Sequence, residues 1–319
     1  MPRRLLSRML DRLLHPLVRR LDQAHHGHTL RVMDGMERHA FLMADLLIAQ
    51  RRAQPELTPR DWEFRVCSQW GQDGIIQYLL HHVPIAHRTF VEFGVQNYRE
   101  SSTRFLLMHD NWSGLIIDGD ADAIADIQRE SYYWQHDLAA LNAFITRENI
   151  NELIAKKFTG DLGLLVVDID GNDYWVWEAI DVVRPRIVIC EYNSVLGPDL
   201  AVTVPYRPDF TREAAHHSNL YFGASLSALH HLALRKGYAF VGCNSHGNDA
   251  FFVRADIAHD VPAVALDDGY IESQFRESRD AQGRLTHLAG RARFDAIAHL
   301  EVFDLADGKV RPLREAKPL

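Results

Sequence analysis

A chain of 319 residues, 47% of them hydrophobic, has material for one large or two small domains and a substantial core. The formal charge of −8 argues against a general nucleic-acid binder, which carries a basic face. Cys67, Cys190 and Cys243 lie far apart and make no CxxC or metal pattern, which suits a reducing compartment; no apolar run reaches the roughly 18 residues of a membrane span.

Residues 3–21 set Leu6, Met9, Leu10, Leu13, Leu17 and Leu21 along one helical stripe, with arginines such as Arg8 and Arg12 supplying charge. This is the pattern of a basic amphipathic helix, able to lie on an anionic membrane or to pair with another helix. A second helical run covers about 30–53. Residues 1–60 are therefore expected to form a helical extension. It packs as a hairpin on the domain, joins a homodimer, or touches a membrane surface through residues 1–53. The stripe lacks the apolar core and cleavage site of a signal peptide, so the expected location is the cytoplasm, with the inner face of the membrane as the alternative. Pro55 and Pro59 mark a linker, and a globular domain, 61–319, starts near Trp62.

A helix is expected at 72–83, then a buried strand at 90–94, FVEFG. Helix 100–109, strand 114–118, helix 121–133, a weak strand near 143–146 and helix 148–158 follow. The strongest strand is 163–169, inside the run LLVVDIDGND. Helix 173–182 and strand 186–192 come next. A looser segment, 193–220, leads to helix 223–236 and to two strands, 238–243 and 250–254, joined by NSHGND. Strands alternating with helices imply a parallel sheet with crossover helices. The last two strands have no helix between them and must pair antiparallel. The expected fold is α/β: a Rossmann-like sheet of the class I methyltransferase plan, closed by an antiparallel hairpin. A dinucleotide-binding domain would finish with a parallel strand instead.

Open α/β sheets bind ligands beyond the carboxyl ends of their strands. Gly94 ends the first strand and permits close backbone approach. Glu92 sits on its last turn, where a carboxylate meets a cationic amino group. Asp118 closes the second strand, the usual place for an acid that holds ribose hydroxyls. No GxGxxG run is present, which argues against NAD or FAD. S-adenosylmethionine has no pyrophosphate and fits better.

Asp168 and Asp170 end the strongest strand and share a face by the two-residue strand period; Glu191 and Asn193 repeat that spacing on the next strand. Four oxygen-bearing side chains at adjacent strand ends suit Mg²⁺ or another hard divalent cation, or sugar hydroxyls directly. The plainer alternative is turn capping. Asp168, Asp170 and His246 are the candidate catalytic residues. Tyr192, Asn193 and Asn248 border the expected acceptor pocket.

The runs SQWGQDGII (68–76), FVEFGVQNYRESSTRFLL (90–107), WSGLIIDGD (112–120), DIDGNDYWVW (168–177), CEYN (190–193) and YFGASLSALHHLALRKGYAFVGCNSHGNDAFFVR (221–254) resemble the FkbM-type methyltransferase family. The resemblance covers roughly residues 65–290. The family box is commonly Asp-Val-Glu-Gly, where this chain has Asp168-Ile169-Asp170-Gly171. The resemblance implies O-methyl transfer from S-adenosylmethionine to a sugar hydroxyl of a surface glycan or glycosylated metabolite. By position it implies that Glu92 and Gly94 contact the methionine part of the cofactor and Asp118 the ribose. Gln69, Gln72 and Asp73 fall where a lid closes over the cofactor. Two other readings compete: a metal-dependent, non-methylating enzyme on the same fold, and a non-catalytic glycan-assembly protein.

Overall fold

The computed structural model describes residues 35–318 together with Val32. The chain divides into two compact units, Met1–Gln50 and Arg51–Leu319. The amphipathic stripe of 3–21 lies outside the described residues. Residues 35–52 are helical (α1), and Met36, Leu42, Met43 and Leu46 on this helix are exposed. Among the described residues, no helix is long and apolar enough to cross a membrane.

The second unit is built on a seven-stranded sheet. Its strands are β1 (Thr89–Phe93), β2 (Ser113–Asp118), β3 (Leu138–Asn142), β4 (Gly160–Val167) and β5 (Val183–Glu191), then β7 (Tyr238–Cys243) and β8 (Asp249–Arg254). A shorter strand, β6 (Val202–Thr203), lies outside this sheet. The spatial order is β3-β2-β1-β4-β5-β8-β7. Strands β1 to β5 run parallel, while β8 lies antiparallel to β5 and to β7. This is the expected Rossmann-like sheet, with the antiparallel hairpin where the sequence places it.

Each parallel step needs a crossover, and the intervening segments supply helices. Helix α2 (Gln72–His82) precedes β1 and α3 (Arg104–Met108) follows it. Helices α4 (Ala121–Arg129) and α5 (Ser131–Gln135) link β2 to β3, α6 (Ile150–Ala155) links β3 to β4, and α7 (Asp173–Ala179) links β4 to β5. Strands covered on both faces bury nearly every residue. Leu162, Leu165 and Val167 of β4 are fully buried in one core with Val91 and Val188 of the adjacent strands β1 and β5 and with Leu115 and Phe252 further out. At about 25 cal/mol per Å² of apolar surface, these strands hold the domain together.

Register matters more to the site than the helices. Phe93 pairs with Ile117, Glu92 with Val166, and Val167 with Cys190. Asp118 pairs with Asn142, and Glu191 with Asp249. The strand ends are therefore level. Asn142, Asp118, Gly94, Asp168, Glu191 and Asp249 stand in one row across the carboxyl edge.

The structure corrects three expectations. The third strand is 138–142, not 143–146, and the apolar residues 143–145 lie beyond its end. The helix expected at 100–109 begins only at Arg104, because residues 101–103 are tied to Glu92. The helix expected at 121–133 is two helices, broken where Glu130 turns extended (φ −69°, ψ 149°).

The looser segment also carries structure. Strand β6 pairs with β9 (Glu301–Asp304), which pairs with β10 (Lys309–Pro312) in a separate antiparallel sheet. Helix α8 (Arg212–Ala215) follows β6, and α9 (Leu226–Lys236) is the crossover to β7. The short α10 (Leu266–Gly269) and α11 (Arg291–Ile297) lie between β8 and β9 in the chain.

Candidate functional site

Four of these strand ends, Asp118, Gly94, Asp168 and Glu191, form the floor of a cleft of about 970 Å³. At its centre the backbone of β1 passes against that of β4. Gly94 has φ +69°, a conformation side chains rarely adopt, and a Cβ there would meet the Asp168 carbonyl oxygen at 1.9 Å. To one side stands Asp118, whose two oxygens accept the Gln96 N–H at 2.7 Å and the Asp120 N–H at 2.8 Å. These bonds fix the carboxylate at the end of β2, at the edge of the cleft. Past β3, Ala143, Phe144 and Ile145 line the same end, and Phe144 remains 48% exposed. An aromatic face beside an acid over β2 and β3 suits a nucleoside.

On the other side lies the acidic box. Strand β4 stops at Val167, so the two-residue strand period does not reach Asp170. The buried Asp173 carboxylate accepts the N–H groups of Ile169 (2.8 Å) and Gly171 (2.9 Å) and curls the chain into a turn. Asp170 takes φ +53° in that turn. The turn, not a shared strand face, gathers the acids. Asp168, Asp170 and Glu191 each place one carboxylate oxygen within 4.8 Å of the others. Glu191 Oε2 is buried with no hydrogen-bond partner.

Burial, reinforced by the neighbouring carboxylates, holds Asp168 and Glu191 well above the usual carboxylate range. Burial also pushes Asp173 up to about 6 and Asp249 up to about 7. The balancing cation is Arg212, from α8. It donates to Asp170 Oδ1 at 2.5 Å and to the Asn219 carbonyl at 2.9 Å, with its guanidinium 3.9 Å from the centre of the Phe222 ring. Burial works against that charge, but Glu191 and Asp170 raise Arg212 above its ordinary value.

Of the residues singled out from sequence, Gly94, Asp118, Asp168, Asp170, Glu191, Tyr192, Asn193, His246, Asn248 and Gln69 all line the cleft. Several are otherwise occupied. Asn193 donates to the carbonyls of Leu220 and Phe222 and accepts the Val195 N–H, so its amide anchors the loop above β5 and is not turned to a cation. Tyr192 donates to the Ile271 carbonyl at 2.5 Å. Asn248 accepts from the Asn244 side chain at 2.7 Å. His246 stacks on Trp70, with ring centroids 4.5 Å apart and planes at 26°.

Glu92, Gln72 and Asp73 stand away from the cleft. Glu92 is buried and accepts from Ser101 Oγ, Ser102 N–H, Thr103 N–H and Thr103 Oγ1. It ties down the loop after β1 where a cofactor amine was expected. Gln72 links the Trp70 N–H to Asp249. Asp73 accepts the N–H groups of Val66, Cys67 and Ser68. Sequence reasoning missed Arg212, Phe144, Trp70 and Arg293. Phe144 was absorbed into an expected strand. Arg212 and Arg293 lie in segments with no periodic pattern.

Among solved structures, the chain is similar to the N-terminal domain of EvdMO1 with SAH bound, at 10% identity over 57% of this chain and 80% of that one, with a TM-score of 0.38. It is similar to the O-methyltransferase from Bacillus cereus in complex with SAH, at 9% identity over 67% and 89%, with a TM-score of 0.35. An O-methyltransferase family protein from Burkholderia thailandensis matches at 12% identity over 76% and 59%, with a TM-score of 0.34. No protein-family model matches the chain, and no curated protein does.

Proposed function

We propose that the protein is an S-adenosylmethionine-dependent O-methyltransferase acting on a sugar hydroxyl of a surface glycan or glycosylated metabolite. The observation that carries this reading is the level row Asp118, Gly94, Asp168, Glu191 along one cleft. The quoted resemblance to the FkbM-type family supports the sugar acceptor, as does the stacked Trp70–His246 pair in the cleft wall. Adjacent strands lie about 4.8 Å apart, so Asp118 and Glu191 are separated by about 14 Å, room for a nucleoside and an acceptor end to end.

When bound, S-adenosylmethionine supplies a methyl group already activated on a sulfonium. Asp118 would take its ribose hydroxyls and Phe144 its base, and Gly94 leaves the backbone bare between them. The chain's remaining tasks are to align the acceptor, exclude water and accept a proton. We assign proton acceptance to Asp168, whose desolvated, acid-crowded setting raises its proton affinity well above that of an ordinary carboxylate. As the acceptor oxygen takes the methyl group supplied by the bound cofactor, the Asp168 carboxylate would take the hydroxyl proton released there. Asp168, Asp170 and Glu191 fit a hard divalent cation such as Mg²⁺, and the unpartnered Glu191 Oε2 is the oxygen that needs it. Such an ion relieves a repulsion that otherwise a shared proton must relieve.

Calorimetric titration of the chelator-treated protein with S-adenosylhomocysteine, with and without Mg²⁺, tests this. Micromolar binding is expected. Metal retention with no binding of the nucleoside would favour a metal-dependent enzyme of another class on this fold.

A further inference from the structure

Three arginines face the cleft from beyond β5: Arg212, Arg279 and Arg293. Two have carboxylate partners. Arg212 pairs with Asp170 at 2.5 Å and Arg279 with Glu277 at 2.9 Å. Arg293, on α11, is 6% exposed and enters no ion pair among the described residues. Its Nη1 donates to the Ser273 carbonyl at 3.2 Å, and its Nε is buried with no partner. Burial pushes this guanidinium below its ordinary value, opposed at longer range by Glu272. A buried cation without a counterion is costly, and an anion paired with it offsets that cost.

Its place fits an acceptor. Ser273, which holds Arg293, donates its N–H to Ser194 Oγ at 2.9 Å, and Tyr270 donates to the Ser194 carbonyl at 3.0 Å. Ser194 follows the end of β5. Arg293 is thereby held on the Glu191 side of the cleft, away from Asp118 and Phe144. The same cleft is walled by the stacked Trp70–His246 pair, with Phe275 edge-on to Trp70 at 6.3 Å.

We propose that the acceptor is a sugar bearing a carboxylate or a phosphate, with that anion bound by Arg293 and the sugar ring resting on Trp70 and His246. Naming this ligand the acceptor rests on the methyl-transfer reading; the anion site itself does not. A guanidinium binds either anion through two parallel N–H donors, and charge-assisted bonds of this kind distinguish an acid from its neutral analogue by roughly tenfold to a hundredfold.

The test measures binding of glucuronic acid, glucose 1-phosphate and glucose to the full chain by ligand-observed NMR, in the presence and absence of S-adenosylhomocysteine. The proteins are wild type, Arg293→Gln and Arg293→Lys. At least one acid is expected to bind tenfold or more tightly than glucose to the wild type. Arg293→Gln should erase the preference and Arg293→Lys keep part of it, with affinity for S-adenosylhomocysteine unchanged in all three. Whether glucuronic acid or glucose 1-phosphate wins identifies the anion. Equal or undetectable binding of the acids by wild type overturns the proposal, as does a preference that survives Arg293→Gln. A matching loss of S-adenosylhomocysteine affinity would instead assign Arg293 to the cofactor's own carboxylate. Should Arg293→Gln not fold, the wild-type comparison and the lysine variant decide. If no protein binds S-adenosylhomocysteine but the acid preference holds, the methyltransferase reading falls and the anion site stands.

Discussion

The Asp168 carbonyl oxygen occupies the space that a side chain at Gly94 would need: an added Cβ would lie 1.9 Å from it. Glycine here is what lets β1 and β4 bring their ends together. Gly94→Ala must move one of the two backbones and also adopt an unfavourable φ, which alone costs about 1–3 kcal/mol. We expect a lowered melting temperature and, in protein that remains folded, at least tenfold weaker S-adenosylhomocysteine binding. A variant with wild-type melting and affinity would show that the approach is looser than described.

Glu92 separates structural from functional acids. Its two oxygens accept four donors from residues 101–103, so Glu92→Gln turns an amide N–H₂ either towards the Ser102 N–H, which can only donate, or towards the Thr103 N–H and two hydroxyls that must reverse their bonds. A loss of about 1–3 kcal/mol in unfolding free energy is expected, by denaturant titration, with little change in cofactor affinity of the folded fraction. Normal stability with abolished cofactor binding would return Glu92 to the site.

For Asp168→Asn we expect turnover to fall by roughly 10²–10⁴, the usual contribution of a positioned base, while S-adenosylhomocysteine still binds. Glu191→Gln should mainly blunt the response to Mg²⁺, since it removes a charge from the group of three acids. Single-turnover assays across a Mg²⁺ series separate the two effects, and full activity of Asp168→Asn would remove that residue from chemistry.

Asp249 gives a stability profile of unusual sign. Burial raises its carboxyl from 3.8 to about 7, so between these values the folded chain holds a proton that the unfolded chain has lost. Stability must therefore fall as pH rises through that window, with the penalty complete above about 7. Asp249→Asn removes the penalty. Its melting temperature should gain on the wild type between pH 4 and pH 8, on the order of several degrees. A difference that stays flat with pH would mean that Asp249 is ionised throughout.

The central strands were legible because strands buried on both faces read as apolar runs: Leu162 to Val167 leaves no other interpretation. The hairpin was legible from the missing crossover. The third strand was misplaced because the apolar run near 143–146 includes Phe144, which faces the cleft and is half exposed. Strands β6, β9 and β10 are two to four residues long, too short for any period to show. Asp118 and Gly94 line the cleft, as their positions at strand ends imply. Asp168 and Asp170 were paired correctly for the wrong reason: their meeting depends on the Asp173 turn, a hydrogen-bond pattern that spacing does not encode. Glu92 looked functional because a carboxylate at a strand end always does; only its donors reveal its task.

The second sheet has a consequence for how the protein comes into being. Strand β9 pairs with β6, Leu305 N–H bonds the Ala201 carbonyl at 2.9 Å, and Tyr221 donates to the Glu301 carbonyl. These contacts brace the stretch from which Arg212 reaches Asp170. In synthesis order, the whole acid cluster leaves the ribosome before the residues that steady its counter-charge. A nascent chain ending before Glu301 has every strand of the main sheet but only an unbraced site. Prematurely terminated products should thus be inactive, which single-turnover assays on chains stopped at residue 300 would read directly.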